Sequence, residues 1–289
     1  MSVSEELIMD CFKIQSGEST MLTIIGNIKK AYLKAIKAVN PKSIQFIELI
    51  GLAVSEYNYG RHCSAYSLFK TAMSYLDIQV LVRPLESKSF YRLRSKKTSK
   101  SEEMFHIPLE ERYKVGTQRY SFPGLPCLYL GSSVDVCKEE LKDVISDNYS
   151  IAQYILNDAI FPQIFDLSFF FSIRYDSMDE ITRRKFWDLL PLIALCSVKC
   201  AYPKGANIRF RKEYVIPQML LEYLMDTQPF GGKEIIGIKY RSVGHLYDVL
   251  EKDNQYQRWN NYVFPAISNR PSGFSKQLQE SFLFVDFVC

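Results

Sequence analysis

Arg119, Tyr120, Tyr129 and Glu140 belong to one stretch, Arg119-Tyr120-Ser121-Phe122-Pro123-Gly124-Leu125-Pro126-Cys127-Leu128-Tyr129-Leu130-Gly131-Ser132-Ser133, which runs on to Glu140. Tyr129 follows Arg119 by ten residues and Glu140 follows it by twenty-one. A cation, two phenols and a carboxylate are thereby held at fixed offsets. A guanidinium at Arg119 could clamp phosphate through two parallel hydrogen bonds. Taken singly, an arginine and a later glutamate more often make a surface ion pair than a site. A strand tyrosine is usually core packing with its hydroxyl satisfied. It is the joint pattern of Arg-Tyr, Pro-Gly, Leu-Tyr, Ser-Ser and Glu-Leu that points to chemistry.

The elements that would position these groups can be read locally. Pro123-Gly124 marks a turn, and Pro126 follows closely. Cys127-Leu128-Tyr129-Leu130 is a short apolar run suited to a buried strand. Gly131-Ser132-Ser133 breaks it, and Ser132 or Ser133 can cap a helix over residues 134–146. Helical spacing puts Val136, Glu140 and Val144 on one side of that helix. Only one of Glu139 and Glu140 can face the strand's end, and the spacing from Arg119 favours Glu140.

Further along, the pattern is α/β in the mixed α+β sense, with many short strands preceded by a helical part. Residues 1–80 read as helices. Met21, Ile25, Ile28, Tyr32, Ala35 and Val39 alternate spacings of four and three, an amphipathic helix that Asn40-Pro41 should end. Further helices are predicted over 43–57 and 62–77, with Tyr59-Gly60 turning the chain between them. Residues 83–100 read as a basic link, whose segment Ser95–Ser101 is an exposed loop, either solubilising or a phosphate-attracting rim. Strands are predicted over 151–156, 163–168, 234–241, 261–265 and 281–288, and helices over 178–199 and 213–226. Pro217 is tolerated near the start of the last helix. The division expected is a helical part over 1–82 and a second domain over 83–289. No Walker loop is present, and Gly231-Gly232 lacks a dinucleotide fingerprint, which disfavours a Rossmann dehydrogenase.

Composition narrows the class. The 289 residues are 47% hydrophobic and 24% charged, ordinary globular values. A net charge of +4 is too small to indicate nucleic-acid binding by itself. Cys11, Cys63, Cys127, Cys137, Cys196, Cys200 and Cys289 are scattered and odd in number, and the acidic start Met1-Ser2-Val3-Ser4-Glu5-Glu6 is no signal peptide. They read as reduced thiols in cytoplasm. Cys196 and Cys200 stand four apart on a predicted helix, but no second Cys/His pair has zinc-finger spacing, the histidines being His62, His106 and His245. No metal is expected. No apolar stretch reaches the roughly 20 residues a membrane-spanning helix needs.

The segment from Arg119 to Glu140 resembles the RES domain, a bacterial family named for an arginine, a glutamate and a serine. Phe90-Tyr91-Arg92-Leu93-Arg94 is similar to the family's opening strand, with Arg92 at its arginine. Phe105-His106-Ile107-Pro108-Leu109-Glu110 and Glu213-Tyr214-Val215-Ile216-Pro217-Gln218 resemble segments of its longer members. Gly237-Ile238-Lys239-Tyr240-Arg241-Ser242 is similar to the strand carrying the family serine, and Asn261-Tyr262-Val263-Phe264-Pro265 to the closing strand. The similarity covers about residues 88–267, and the first eighty-odd residues have no counterpart in short members.

The resemblance implies an ADP-ribosyltransferase-like architecture and destruction of NAD+ by a toxin. NAD+ would be the substrate, with no separate cofactor. Glu140 would stabilise the positive charge that develops on the sugar as the nicotinamide–ribose bond breaks, or hold a ribose hydroxyl. Arg119, and second Arg92, would bind the pyrophosphate. Tyr120 and Tyr129 would stack on nicotinamide or hydrogen-bond the ribose, and Ser242 would anchor the ribose or carboxamide. Water, phosphate or a protein side chain remains open as acceptor, so glycohydrolase, phosphorylase and mono-ADP-ribosyltransferase all stand, beside a non-catalytic nucleotide-binding or regulatory module. The resemblance also implies an antitoxin and a homo-oligomer; the amphipathic helices of residues 1–80 beside such a toxin suggest either a sensing, docking or self-restraining element, for instance with a phage-defence partner, or a structural extension packed on the core.

Overall fold

The computed structural model describes residues 20–34, 40–98, 100–142, 148–173, 177–202, 208–227, 234–242 and 259–288. Cys11, Ala35, Val39, Val144, Gly231, Gly232, His245 and Cys289 lie outside them.

Helix α1 (Met21–Lys34) buries Met21, Ile24, Ile25, Ile28, Ala31 and Tyr32, the stripe that the apolar spacing marks. Asn40 and Pro41, expected to end a helix, begin the next one, α2 (Pro41–Asn58). Asn40 is extended and its side chain accepts from the Lys42 N–H, while Pro41 occupies the first helical position, where a missing N–H costs nothing. Gly60, at φ 76°, turns the chain into α3 (His62–Met73).

The described residues then form an eight-stranded sheet. Its strands are β1 (Val82–Pro84), β2 (Ser89–Arg94), β3 (Cys127–Gly131), β4 (Ser150–Leu156), β5 (Gln163–Asp166), β6 (Ile235–Arg241), β7 (Asn260–Pro265) and β8 (Phe282–Val288). They lie in the order β1-β5-β6-β7-β3-β2-β4-β8. Neighbours are antiparallel except β5 and β6, which are parallel. The remaining helices are α4 (Val134–Leu141), α5 (Glu180–Cys196), α6 (Val215–Asp226) and α7 (Lys276–Ser281). The protein is thus α+β.

Successive strand residues point to opposite faces. One face gathers Phe90, Leu128, Leu130, Tyr262 and Phe264 with Phe282. The other gathers Cys127, Ile238, Tyr240 and Val263, with Tyr129 against them, under α5 and α6. The same apolar cluster continues into α1, α2 and α3 through Tyr32, Phe46, Ile50 and Phe69. Pro191 inside α5 has no N–H to bond the carbonyl one turn back, that of Trp187. The Tyr32 hydroxyl donates to that carbonyl instead, at 2.7 Å.

Three expectations need correction. The basic link over 83–100 holds two strands, β1 and β2: Arg83 lies in β1 with its guanidinium 4.4 Å from the Phe169 ring centre. The loop after β2 is not all exposed, because Thr98 is buried, its N–H donating to Ser150 Oγ and its hydroxyl to Glu103. Cys200 is not on the helix with Cys196, where α5 ends. Helix α7 and the edge strand β1 are too short to leave a periodic signal.

Candidate active site

Glu140 is carried by α4, and α4 is set by the strand before it. Ser133, extended, caps the helix by accepting from the Val136 N–H at 3.3 Å. Gly131 ends β3 under the helix, where a Cβ would stand 2.7 Å from Cys137 Sγ. Only glycine lets α4 lie this close. Backbone bonds tie the neighbouring strand ends to the same place. Ser132 N donates to Asn260 O at 2.9 Å, Asn260 N to Ser132 Oγ at 3.1 Å, and Ser242 N to Trp259 O at 2.9 Å.

The outcome is a convergence on one carboxylate oxygen. The Ser242 hydroxyl donates to Glu140 Oε1 at 2.8 Å, and Asn261 Nδ2 donates to the same oxygen at 2.9 Å. Ser242 and Asn261 are both buried. Glu139 points away and pairs with Lys142 at 2.6 Å on the surface. The helical phase therefore selects the glutamate that the spacing from Arg119 favours.

Behind this cluster stand three phenols. Tyr240 is the cross-strand partner of Asn261, and its ring lies 4.8 Å from that of Tyr120. The Tyr120 N–H donates to the Tyr129 hydroxyl at 3.3 Å. Burial pushes the Tyr240 phenol well above its ordinary pKa, Glu140 adds to that, and Arg119 opposes it. Tyr240 thus lies within electrostatic reach of both Arg119 and Glu140. Tyr120 is fully buried, so its ring is a wall behind Tyr240 rather than an open stacking surface. Burial likewise holds the Tyr129 phenol far above its usual range.

Arg119 lies in the narrow turn closed by the Gln118–Ser121 bridge. Its Nη1 donates to the carbonyls of Cys196 at 3.3 Å and Val198 at 2.9 Å, at the C-terminal end of α5. A cation there also meets the negative end of the helix dipole. Nη2 lies 3.7 Å from Cys200 Sγ, and the guanidinium stands 5.4 Å from the Tyr214 ring centre. Burial works against this charge, but Cys200 and the phenols of Tyr214, Tyr120 and Tyr240 outweigh it and raise its pKa. Gln218 of α6 fixes the turn: its Nε2 lies 2.8 Å from Thr117 Oγ1, 2.8 Å from Gln118 O and 3.0 Å from Ser121 O.

Arg92 is not brought to this cluster. It shares a strand face with Phe90, which packs on Tyr262, Phe264 and Phe282, so it lies across the sheet from Asn261 and Tyr240. Its Nη1 reaches the backbone carbonyl of Tyr129 at 3.4 Å. Burial first and Arg94 second push its pKa down to about 10. The apolar residues of β2 fall on both parities, so the sequence alone does not show which face holds the arginine.

Sequence reasoning passed over Asn261, Tyr240, Tyr214 and Gln218 as site residues. A signal existed for two of them. Tyr240 and Ser242 share strand parity, and an asparagine pair opening β7 is out of place in a strand unless it has partners. Nothing local marks the Cys196 and Val198 carbonyls as partners of Arg119.

Among the described residues no helix is long and apolar enough to cross a membrane. No family model matches the chain, and no solved structure matches it. The chain is similar to a curated protein of Bacillus subtilis (strain 168) named "Putative toxin YopC", 29% identical over 303 aligned residues. The alignment takes in 99% of this chain and 64% of that protein, so the chain spans just under two thirds of the relative's length.

Proposed function

We propose that this chain is a toxin-like enzyme that breaks the nicotinamide–ribose bond of NAD+, as a glycohydrolase or a phosphorylase. One observation carries the reading: Glu140, on which Ser242 and Asn261 converge, and the Arg119 guanidinium both act electrostatically on the buried Tyr240 phenol, the carboxylate raising its pKa and the guanidinium opposing it. The carboxylate faces the sugar and offsets the positive charge that grows at its anomeric carbon. Arg119 exchanges its carbonyl partners for the pyrophosphate, and Tyr129 and Tyr240 flank the nicotinamide ribose. The name of the Bacillus relative supports a toxin, and the ordered resemblance to the RES-domain family supports NAD+ as its target. Depletion of NAD+ would then act in the cytoplasm, under the control of an antitoxin or a defence-system partner.

The test is to incubate the purified protein with NAD+, in buffers with and without phosphate, and identify products by mass spectrometry. Nicotinamide with ADP-ribose marks the hydrolase, and nicotinamide with a phosphorylated ADP-ribose marks the phosphorylase. ADP-ribose mass retained on a macromolecule would make the chain a transferase. Undiminished NAD+ in both buffers overturns the reading.

A further inference from the structure

We propose that Asn261 is a positioning residue which, with Ser242, commits Glu140 to work as an anion and never as a proton donor. The inference deepens the NAD+-cleaving reading and rests on it for the chemistry, though not for the juxtaposition.

The argument begins with what an amide nitrogen can do. Asn261 Nδ2 carries two donors and no acceptor. At 2.9 Å from Glu140 Oε1 it is satisfied only if that oxygen has a lone pair to offer. Ser242 Oγ, 2.8 Å from the same oxygen, donates its hydroxyl there. A proton on Oε1 would set an O–H against the amide N–H in a buried site, and a proton on Oε2 would leave Oε1 a neutral and weaker acceptor for both donors, so both bonds favour the charged form. The two donors arrive from different strands, β6's end and β7, so the carboxylate is fixed in direction as well as in charge.

This fits a leaving group that needs no acid. When the bond from the anomeric carbon to the nicotinamide nitrogen breaks, its electron pair goes to the pyridinium nitrogen and nicotinamide departs neutral. The sugar cation left behind is offset by the Glu140 carboxylate. A hydroxyl-bearing acceptor then adds its lone pair to that carbon and releases its proton to solvent. No step asks Glu140 for a proton.

Among the described residues, three titratable groups that act on Glu140 or on its neighbour Tyr240 keep one protonation state between pH 5 and pH 8. The Tyr240 phenol on β6 is held far above its ordinary range by burial and by Glu140. The Cys137 thiol on α4 itself is pushed up to about 12, chiefly by burial. Arg119, which acts on the Tyr240 phenol, stays charged throughout.

The experiment is a double-mutant cycle with Asn261→Asp and Glu140→Gln, read by thermal unfolding at pH 5 and pH 8. Asn261→Asp sets two carboxylates together, so its loss of Tm should be larger at pH 8 than at pH 5. Adding Glu140→Gln gives the carboxylate introduced on β7 an amide donor and should recover most of that loss. Asn261→Ala provides a variant without a second charge. In turnover of NAD+, the acid limb of the kcat profile should move to higher pH in Asn261→Asp and, less far, in Asn261→Ala. At pH 7 kcat for Asn261→Ala should fall about tenfold to a hundredfold, the worth of one hydrogen bond to a charged group, with KM changed less. Penalties that simply add in the cycle, or an acid limb unmoved in both variants, would overturn the proposal. A parent protein inert toward NAD+ would overturn the functional reading instead, and the cycle would still judge Asn261.

Discussion

Glu140 and Arg119 carry different kinds of risk when substituted. Glu140→Gln keeps an oxygen for Ser242 and Asn261 to bond, so stability should stay within about 1 kcal/mol of the parent. NAD+ consumption should nonetheless vanish, because the charge that offsets the sugar cation is gone. Full activity in this variant, measured as nicotinamide released, would remove Glu140 from the chemistry. Arg119→Ala is less clean. It should weaken NAD+ binding by about 2–4 kcal/mol if the guanidinium clamps phosphate. It also strips the carbonyls of Cys196 and Val198 of a donor, for a further stability loss of about 1–3 kcal/mol. Arg119→Lys separates the two: it retains the charge but loses the fork, so KM should rise more than Tm falls. Equal losses of Tm in both variants with unchanged KM would make Arg119 a helix cap only. At this scale the sequence disclosed the acidic side of the site better than the basic side. Glu140 could be chosen over Glu139 because helical phase admits only one of the two at the strand's end and the spacing from Arg119 favours Glu140. Arg92 could not be assigned to a face, because Phe90, Tyr91 and Leu93 leave both parities of β2 apolar.

Elements were legible wherever a long period or a chemical start signal existed. The cap at Ser133 works through the side-chain bond its residue type favours, and the strands around Tyr129, Tyr240 and Tyr262 follow apolar runs, whereas Asn40-Pro41 carries a start signal that reads equally as a stop. Invisible in the sequence was how close elements approach. Gly131 decides that for α4: adding a methyl would press on Cys137 Sγ at 2.7 Å and Ser133 O at 3.2 Å. Gly131→Ala should therefore cost about 1–3 kcal/mol and move Glu140 away from Asn261. A matching Cys137→Ala should restore part of the activity, whereas no recovery would mean that the backbone clash with Ser133 dominates. A second joint between elements is His106, buried against Ser275. Its Nδ1 lies 2.8 Å from Ile107 O as donor, and its Nε2 accepts from Ser275 N at 2.9 Å. Burial pushes its pKa down from 6.5 to about 4, against the pull of the Ile107 bond. The unfolded chain binds this proton from about pH 6.5 downward and the folded chain only near pH 4, so stability falls across that interval as pH drops. A neutral isostere such as His106→Gln should flatten that slope in urea melts between pH 7 and pH 4, and an unchanged slope would assign it to carboxylates.

At the scale of the whole molecule the question is what the first three helices do for the rest. They share one apolar cluster with α5, α6 and the sheet. The join is specific as well as apolar, since Tyr32 fills the bond that Pro191 leaves open at the Trp187 carbonyl. Asn40 and Ser43 both reach the Asp188 carboxylate, at 3.4 and 3.3 Å. The same α5 that they cover ends at the carbonyls holding Arg119, so its placement bears on the site. Removing residues 1–82 would uncover the partners of Phe46, Ile47, Ile50 and Phe69, each fully buried. At about 1.5–3 kcal/mol for each large apolar side chain, four such losses equal or exceed much of a domain's total stability of about 5–15 kcal/mol. The truncated chain should therefore bind a hydrophobic dye and melt without a cooperative transition, and its NAD+ loss should be absent because Arg119 is no longer held. A truncated chain that melts cooperatively and still consumes NAD+ would show that the helices are an addition to a self-sufficient sheet domain, in which case a restraining role for them is measured directly as the gain in turnover.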